Sequence, residues 1–159
     1  MRAYADTSFL VKLVSQEPGS DRAAAEYRRY RLPRLFYLPL HALEVETAVR
    51  HHIFHPRRSI TSSGRAQMYR QRDAALSRVH RLIERGQLRQ MAVDWDEVVS
   101  AAVLLSRKYT ESFGARSFDL LHISCALDLD CELFFTTDQI QGRAAAAAGL
   151  RVVSSADPD

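Results

Sequence analysis

Short apolar runs alternate along the chain with longer stretches in which apolar residues recur at helical spacing. The apolar runs predict five strands, at residues 4–5, 35–38, 88–93, 133–137 and 150–153. The first four predicted helices are 9–14, a segment that is capped by Ser20 or Asp21 and runs to Tyr30, a segment from His41 to a stop at Pro56, and 65–85, which Gly86 closes. The next helix is capped by Asp94 or Asp96 and ends before a loop at 113–117. The last two predicted helices are 118–129 and 138–148. This alternation indicates an α/β fold with a parallel sheet covered on both faces.

Length and composition are those of an ordinary globular protein. The 159 residues, 47% hydrophobic and 26% charged, predict a single domain over residues 1–159. No apolar run approaches the roughly 20 residues that cross a bilayer, and Asp6 interrupts any apolar segment of a signal peptide. We therefore expect a cytoplasmic protein without membrane contact. Cys125 and Cys131 form neither a disulfide framework nor a zinc signature, so we expect buried free thiols.

Positive charge is concentrated in the middle of the chain. Residues 57–90 contain nine arginines against two acids, Asp73 and Glu84, whereas the whole chain has a net charge of only +3. We interpret this segment as a basic helical insert, which could contact nucleic-acid phosphates, accept an acidic protein segment or present a solvated face. Tyr69 is the only aromatic residue of its predicted helix, so base stacking has little support from the sequence.

Four acidic residues stand where the predicted sheet would bring them together. Asp6 and Asp138 follow the carboxyl ends of the first and fourth strands, at the edge where open parallel sheets bind ligands. Asp119 lies at the start of one predicted helix and Glu44 in the first turns of another, so both can point toward that edge. Clustered carboxylates repel one another, and a divalent cation removes this repulsion. Oxygen ligands favour Mg²⁺ or Mn²⁺ over zinc, and a pair of such ions can activate water for phosphodiester hydrolysis.

Each of these acids also has a structural alternative. Aspartate is a preferred helix cap, which would account for Asp6, Asp119 and Asp138 without any chemistry. Glu44 could lie on a solvated face, and Glu46 competes with it for any role because the two side chains are about 200° apart around a helix. Spacing alone leaves the choice between the two glutamates open.

The order of the motifs resembles that of a PIN domain, and specifically of the VapC-type toxins of bacterial toxin–antitoxin pairs. The similarity spans nearly the whole chain and rests on Tyr4-Ala5-Asp6-Thr7-Ser8-Phe9-Leu10, Leu43-Glu44-Val45-Glu46-Thr47-Ala48-Val49, Ala115-Arg116-Ser117-Phe118-Asp119-Leu120-Leu121-His122-Ile123-Ser124-Cys125-Ala126, and Phe135-Thr136-Thr137-Asp138 with the Ala-rich helix and the Gly149-Leu150-Arg151-Val152 strand that follow. The implied fold is a three-layer α/β/α sandwich with a central parallel sheet of about five strands.

The resemblance implies a metal-dependent ribonuclease. Asp6, Glu44, Asp119 and Asp138 would surround one or two Mg²⁺ or Mn²⁺ ions and act in catalysis. Asp6 and Asp119 would be the firmest ligands, Glu44 rather than Glu46 would hold a metal or orient water, and Asp138 would be reached through water. The same resemblance implies a homodimer, a cognate antitoxin, an RNA substrate such as tRNA or rRNA, and products with a 5′-phosphate. The insert at 57–90 departs from the commoner form of the family.

Two further polar residues could support such a site. The Ser8 hydroxyl could bond a metal-bound water or the scissile phosphate, and it could also cap the first helix. Arg116, three residues before Asp119, could contact a phosphate near the metals or pair with one of the acids.

The histidines favour structural roles. His122 follows Asp119 by three residues and is either a proton relay or a hydrogen-bonded histidine near the core. His51, His52 and His55 have no acid or cysteine at ligand spacing nearby, which indicates a surface cluster rather than a metal site.

Two other functions are compatible with the same residues. A phosphatase of the haloacid-dehalogenase type also uses an aspartate after the first strand as its nucleophile, but it needs a second acid where Ser8 stands. A nucleic-acid-binding module without catalysis would work through the arginines of residues 57–90, with the acids only capping helices.

Overall fold

A computed structural model describes residues 1–54 and 61–155. In chain order the elements are β1 (Ala3–Ala5), α1 (Thr7–Val14), α2 (Ser20–Arg29), β2 (Leu35–Tyr37), α3 (Pro39–Phe54), α4 (Ser62–Glu84), β3 (Leu88–Gln90), α5 (Trp95–Phe113), α6 (Ser117–Asp128), β4 (Leu133–Thr136), α7 (Gln139–Ala147) and β5 (Arg151–Ser154). The predicted helix stop at Pro56, together with His55, Arg57 and Arg58, lies outside the described residues.

The five strands form one sheet in the order β3-β2-β1-β4-β5, and every neighbouring pair is parallel. From β1 the chain first builds the sheet toward β3 and then crosses to β4 on the other side of β1. The strand order therefore reverses between β1 and β4, and the carboxyl ends of these two strands form the edge where open sheets of this kind bind ligands.

Helices cover both faces of the sheet. Ala3 and Ala5 pack into a core with α1, α2, α3 and α4, whereas the intervening Tyr4 packs into a second core with α5, α6 and α7. Alternate residues of a strand point to opposite faces, so β1 is buried from both sides. The predicted α/β fold, a three-layer sandwich around a parallel sheet of five strands, is confirmed.

Two local expectations are wrong in detail. Helix α2 begins at Ser20 and is capped by neither Ser20 nor Asp21: the N-cap is Gly19, whose φ of 86° places it in the left-handed region that favours glycine. The third strand ends at Gln90 rather than at residue 93: its partner β2 ends at Tyr37, and the last contact between them is the hydrogen bond from the Met91 amide to the Tyr37 carbonyl at 3.0 Å.

The long basic helix forms largely as predicted. Helix α4 begins at Ser62, after Thr61, whose hydroxyl accepts a hydrogen bond from the Gly64 amide at 3.2 Å, and it ends at Glu84. Ala75 and Val79 on its buried face join the core beneath α1 and α3, which leaves most of its arginines on the outer side. In residues 1–54 and 61–155 no helix has the length and apolar character needed to span a membrane.

Candidate active site

Asp6 lies at the floor of a cleft at the carboxyl edge of the sheet. It follows β1 directly and caps α1, since its carboxylate accepts the Phe9 amide at 2.9 Å. The Ser8 hydroxyl donates to the same carboxylate at 2.8 Å, and the Thr136 hydroxyl, at the end of β4, does so at 2.8 Å. With only 3% of its surface exposed, Asp6 is held in one orientation by three donors.

Glu44 reaches the cleft from α3. One of its oxygens accepts a hydrogen bond from the Thr7 hydroxyl at 2.8 Å and lies 2.6 Å from Nε2 of His122. Glu46 instead points away and pairs with Arg50 at 3.1 Å. Of the two glutamates, Glu44 is thus the one that faces the cleft.

His122 is buried behind Glu44. Its second ring nitrogen, Nδ1, lies 2.9 Å from the hydroxyl oxygen of Tyr4 in β1, and only 3% of the residue is exposed. The imidazole therefore links the interior of the sheet to the Glu44 carboxylate, and a ring bonded at both nitrogens fixes the side chain that it contacts.

His41 completes this buried polar layer. Its Nδ1 accepts the Leu38 amide and its Nε2 donates to the Ala5 carbonyl, both at 2.9 Å, so the ring is a neutral structural bridge. Burial lowers the pKa of His41 well below its ordinary value, and the nearby His122 lowers it further. The ring thereby satisfies the carbonyl of the last residue of β1 and the amide of the first residue after β2, next to the cleft.

Asp119 and Asp138 form the other wall, and Arg116 joins them. Asp119 is the third residue of α6, and its carboxylate accepts the Arg116 amide at 2.8 Å and Nε of the same arginine at 3.3 Å. The guanidinium also lies 3.5 Å from the Asp138 carboxylate, while 77% of the Arg116 side chain remains exposed. Of the two roles considered for Arg116, pairing with the acids is the one that the structure contains.

Gln141 ties this wall to the floor. The backbone amide of Gln141 donates a hydrogen bond to the Asp138 carboxylate at 2.9 Å, which makes Asp138 the cap of α7. The side-chain oxygen of Gln141 lies 3.1 Å from the Thr136 hydroxyl oxygen, whose one proton is shared with the nearer Asp6 carboxylate, and its side-chain nitrogen donates to the Asp119 carbonyl at 3.2 Å. A single buried glutamine thus sets the relative positions of β4, α6 and α7 around the cleft.

Ser8 does not cap α1, because Asp6 occupies that position. The Ser8 hydroxyl donates to Asp6 and accepts hydrogen bonds from both the amide and the hydroxyl of Thr137, at 3.1 and 2.7 Å. It fastens the end of β4 to the start of α1, so the serine holds the strand junction at which Asp6 stands.

All four predicted acids line one cavity. Its volume is about 720 Å³, and the side chains around it come from α1, α3, α6 and α7 and from the junctions before them: Asp6, Thr7, Ser8, Leu43, Glu44, Thr47, Ala48, His51, Arg116, Ser117, Phe118, Asp119, His122, Asp138 and Gln141. The rim carries two exposed apolar side chains, Leu43 and Phe118. The cavity therefore combines carboxylates with apolar walls.

Burial perturbs the acids of the cavity unequally. Burial raises the pKa of Asp6 to about 6, although the charge of His122 and the bonds from Phe9, Ser8 and Thr136 lower it. Burial also acts to raise the pKa of Glu44, but the hydrogen bond and charge of His122 outweigh it and the net shift is downward. The anionic form of Asp6 is thus the costly one, and a positive charge in the cavity would favour it.

The chemistry of the donors fits a hard divalent cation, because all four acids offer carboxylate oxygens to one cavity. In the described parts of the chain, no three His, Cys, Asp or Glu side chains are gathered closely enough to hold a metal ion together. Three of the four acids have basic partners in the structure: Glu44 contacts His122, and Arg116 contacts both Asp119 and Asp138. Because Arg116 is exposed, it can leave this pair without disturbing the core.

Comparison with known families identifies the family to which this fold and cleft belong. The family model of the PIN domain matches residues 3–147. The chain belongs to the PIN domain family. PIN domains are generally nucleases that act on nucleic acid, and they typically use divalent metal ions. No curated protein sequence matches the chain.

Several residues of this PIN domain's cleft went unnoticed in the sequence. Thr7 and Thr136 sit beside the predicted acids, but nothing in their spacing distinguishes them from ordinary strand-end residues. Gln141 could have been found as the last residue of an Asp-x-x-Gln capping signature starting at Asp138, although its side chain turns to Thr136 and α6 instead of closing a capping box. The apolar run at the start of the chain predicts Tyr4 as a core residue, but its hydroxyl group makes a polar contact in the site.

The remaining histidine and cysteine predictions have clear outcomes. His51 and His52 are exposed on α3, in agreement with a surface cluster, and His52 lies 3.2 Å from Glu17, an acid that is distant in sequence. His55 falls outside the described residues. Both cysteines are free and buried, as predicted.

Proposed function

We propose that this PIN domain is a cytoplasmic, metal-dependent endoribonuclease and the toxin of a VapC-type toxin–antitoxin pair. The observation that carries the proposal is the convergence of four carboxylates from separate parts of the chain on one cavity, Asp6, Glu44, Asp119 and Asp138. Acids that only cap helices need not face one another, and four carboxylates in one cavity repel one another unless positive charge compensates them. Arg116 supplies such charge to Asp119 and Asp138 from the exposed side, and a divalent cation would supply it to all four.

These four acids would hold Mg²⁺ or Mn²⁺, which when bound supplies Lewis-acid activation of water and charge stabilisation at the scissile phosphate. Asp6 presents its carboxylate from a fixed position, because Ser8 and Thr136 donate to both of its oxygens. His122 and Thr7 orient Glu44 toward the same space.

Arg116 has a role beside these acids. In the structure its guanidinium pairs with Asp119 and Asp138. If the acids held a cation instead, the exposed arginine would be available to contact a substrate phosphate at the mouth of the cavity, where a guanidinium can bind two phosphate oxygens at once. The arginine would thus balance the charge of the two acids when no metal ion is bound.

The phosphatase alternative has less support. A nucleophilic aspartate needs an oxygen that is free to attack phosphorus, whereas both oxygens of Asp6 accept hydrogen bonds and the residue is 3% exposed. The position two residues later holds Ser8, which restrains Asp6 and adds no second carboxylate.

The wider assembly is part of the same proposal. We propose one PIN-like domain over residues 1–159 with a basic insert at 57–90, a homodimer in solution, and a cognate antitoxin that blocks the acidic cavity. Light scattering of the purified protein tests the dimer, and co-purification with the product of the neighbouring gene tests the antitoxin.

The decisive experiment is cleavage of a mixed pool of tRNA and rRNA with added Mg²⁺ or Mn²⁺ and with EDTA. We expect metal-dependent cuts that Asp6→Asn abolishes. Asp94→Asn is the matched control, because Asp94 also caps a helix but lies outside the cavity. Cleavage that persists in Asp6→Asn, or RNA binding without cleavage under every metal condition, would overturn the proposal in favour of a contaminant or of a binding module.

A further inference from the structure

A second cavity adjoins the acidic cleft, between α3 and α4. Its volume is about 400 Å³, and it is lined by Arg50, His51, Ile53, Phe54, Tyr69 and Arg72. His51 lines this groove and the acidic cavity alike. The two spaces are therefore neighbours, and a chain-like ligand could pass from one to the other. We call the second cavity the α3–α4 groove.

Two aromatic rings are presented in this groove. Phe54 is 64% exposed and Tyr69 is 40% exposed, one from each helix. The guanidinium of Arg72 lies 5.0 Å from the centre of the Tyr69 ring, in a cation–π arrangement. Exposed aromatic faces next to arginines are the surface on which unpaired bases stack while phosphates are neutralised.

Charge in the groove has the sign that a nucleic acid requires. Arg65 and Arg72 stand four residues before and three residues after Tyr69, which places all three on one face of α4. Arg72 pairs with Asp73, whose side chain is 63% exposed, and Arg50 pairs with Glu46, where both side chains are about half-exposed. Ion pairs that are open to solvent contribute little, so a phosphate could replace either carboxylate. An acidic peptide with apolar side chains could occupy the same surface, but the connection of the groove to the acidic cavity through His51 favours the substrate of that cavity.

We propose that the α3–α4 groove is an accessory site for single-stranded RNA, which holds the unpaired nucleotides next to those in the acidic cleft. Tyr69 and Phe54 stack on bases, and Arg50 and Arg72 contact phosphates. The inference rests on the proposed ribonuclease function, because it assigns the groove to the substrate of that same cleft. It predicts that unpaired regions longer than the cleft bind more tightly than short ones.

The test compares two RNA lengths. Three fluorescein-labelled RNAs are used: a single strand of roughly 12 nucleotides, a trinucleotide and a 12-base-pair duplex. Their binding is measured by fluorescence anisotropy with Mg²⁺, in the Asp6→Asn background so that the RNA stays intact. Tyr69→Ala and Phe54→Ala are each expected to weaken binding of the 12-nucleotide strand by roughly 5- to 100-fold, as expected for one lost stacking contact. Tyr69→Trp should retain binding, and the trinucleotide and the duplex should be insensitive to all three changes.

Matched controls come from α5. Trp95→Ala removes a partly exposed aromatic ring and Arg107→Gln an exposed arginine, both outside the groove, and neither should change RNA binding. Cleavage by the same groove variants with Asp6 intact is measured in parallel on both single strands. A rise in KM for the long strand alone supports the proposal.

The possible failures are distinct. Unchanged binding of the 12-nucleotide strand by Tyr69→Ala and Phe54→Ala, in a protein that cleaves RNA, overturns the groove and leaves the ribonuclease intact. Equal weakening for duplex and single strand also overturns it. The same variants are tested for binding of a poly-glutamate peptide. If they lose that binding while RNA binding is unchanged, the groove is a protein site and the proposal is overturned. Groove-dependent binding without cleavage supports the groove and refutes the nuclease, and absence of RNA binding refutes both.

Discussion

Removing the negative charge of Asp6 should stabilise the metal-free protein. Burial raises the pKa of this carboxyl from 3.8 to about 6 in the folded state. The folded protein therefore binds the Asp6 proton more tightly than the unfolded chain does, so the associated stability is present at low pH and is lost as the pH rises from about 4 through about 6. Asp6→Asn mimics the protonated acid and should escape this loss.

The magnitude follows from the size of the shift. A pKa shift of about two units corresponds to a loss of about 3 kcal/mol of folding stability at pH 8. Imperfect hydrogen bonding of the introduced side-chain amide to Ser8 and Thr136 offsets about 1 kcal/mol of it. We expect Asp6→Asn to be more stable than the wild type by about 1–3 kcal/mol at pH 8 in EDTA, a rise of about 2–10 °C in Tm for a chain of this length, and to show no such advantage near pH 4.

Thermal and urea denaturation in EDTA at pH 4 and pH 8 measure this difference. Asp94→Asn serves as the control, and we expect it to cost a few tenths of a kcal/mol at pH 8, because Asn and Asp cap helices about equally well. Mn²⁺ at about 1,000 times its Kd should reverse the order, since it stabilises the wild type by about 4.1 kcal/mol, which exceeds the expected difference. A wild type that is more stable than Asp6→Asn at pH 8 in EDTA would refute the reasoning.

Three further outcomes are expected. Arg116→Gln should lower the Kd for Mn²⁺ a few-fold in calorimetry, since the cation no longer competes with the exposed Arg116 guanidinium for Asp119 and Asp138, while kcat/KM for RNA falls; weaker Mn²⁺ binding would contradict this competition. His122→Leu removes the histidine from the buried Tyr4 hydroxyl and from Glu44, which keeps only the hydrogen bond from Thr7, and should cost about 2–4 kcal/mol in urea denaturation and 10- to 100-fold in Mn²⁺ affinity; an unchanged affinity would make the histidine purely structural. Burial raises the pKa values of Cys125 and Cys131 to about 11 and 12, so iodoacetamide at pH 8 should modify them only after unfolding, and rapid modification of the native protein would refute their burial.

The insert shows how far local pattern can go. The sequence alone predicts helix α4 and its basic character, because helical period, capping residue and charge are all properties of neighbouring residues. It also shows Tyr69 as an isolated aromatic. The second ring of the groove, Phe54, belongs to another helix, and only the packing of α3 against α4 brings the two together.

The choice between Glu44 and Glu46 has the same origin. Helical geometry separates the two side chains, but it does not say which face of α3 meets the cleft. That orientation depends on Val45 and Val49, which enter the core, and on Thr7 and His122, which receive Glu44. His122 is 78 residues away from Glu44 along the chain, a separation that no local pattern reports.

The sequence by itself determined the alternation of strands and helices and the placement of Asp6 and Asp138 just after strands, because hydrophobic period and strand ends are local properties. Only the tertiary structure decided that β1 and β4 are neighbours, that Thr136 therefore reaches Asp6, and that Arg116 bridges Asp119 and Asp138. The reason is physical: strand order and helix rotation are selected by the burial of two cores at once, a property of the whole chain, and the cleft is where those choices meet.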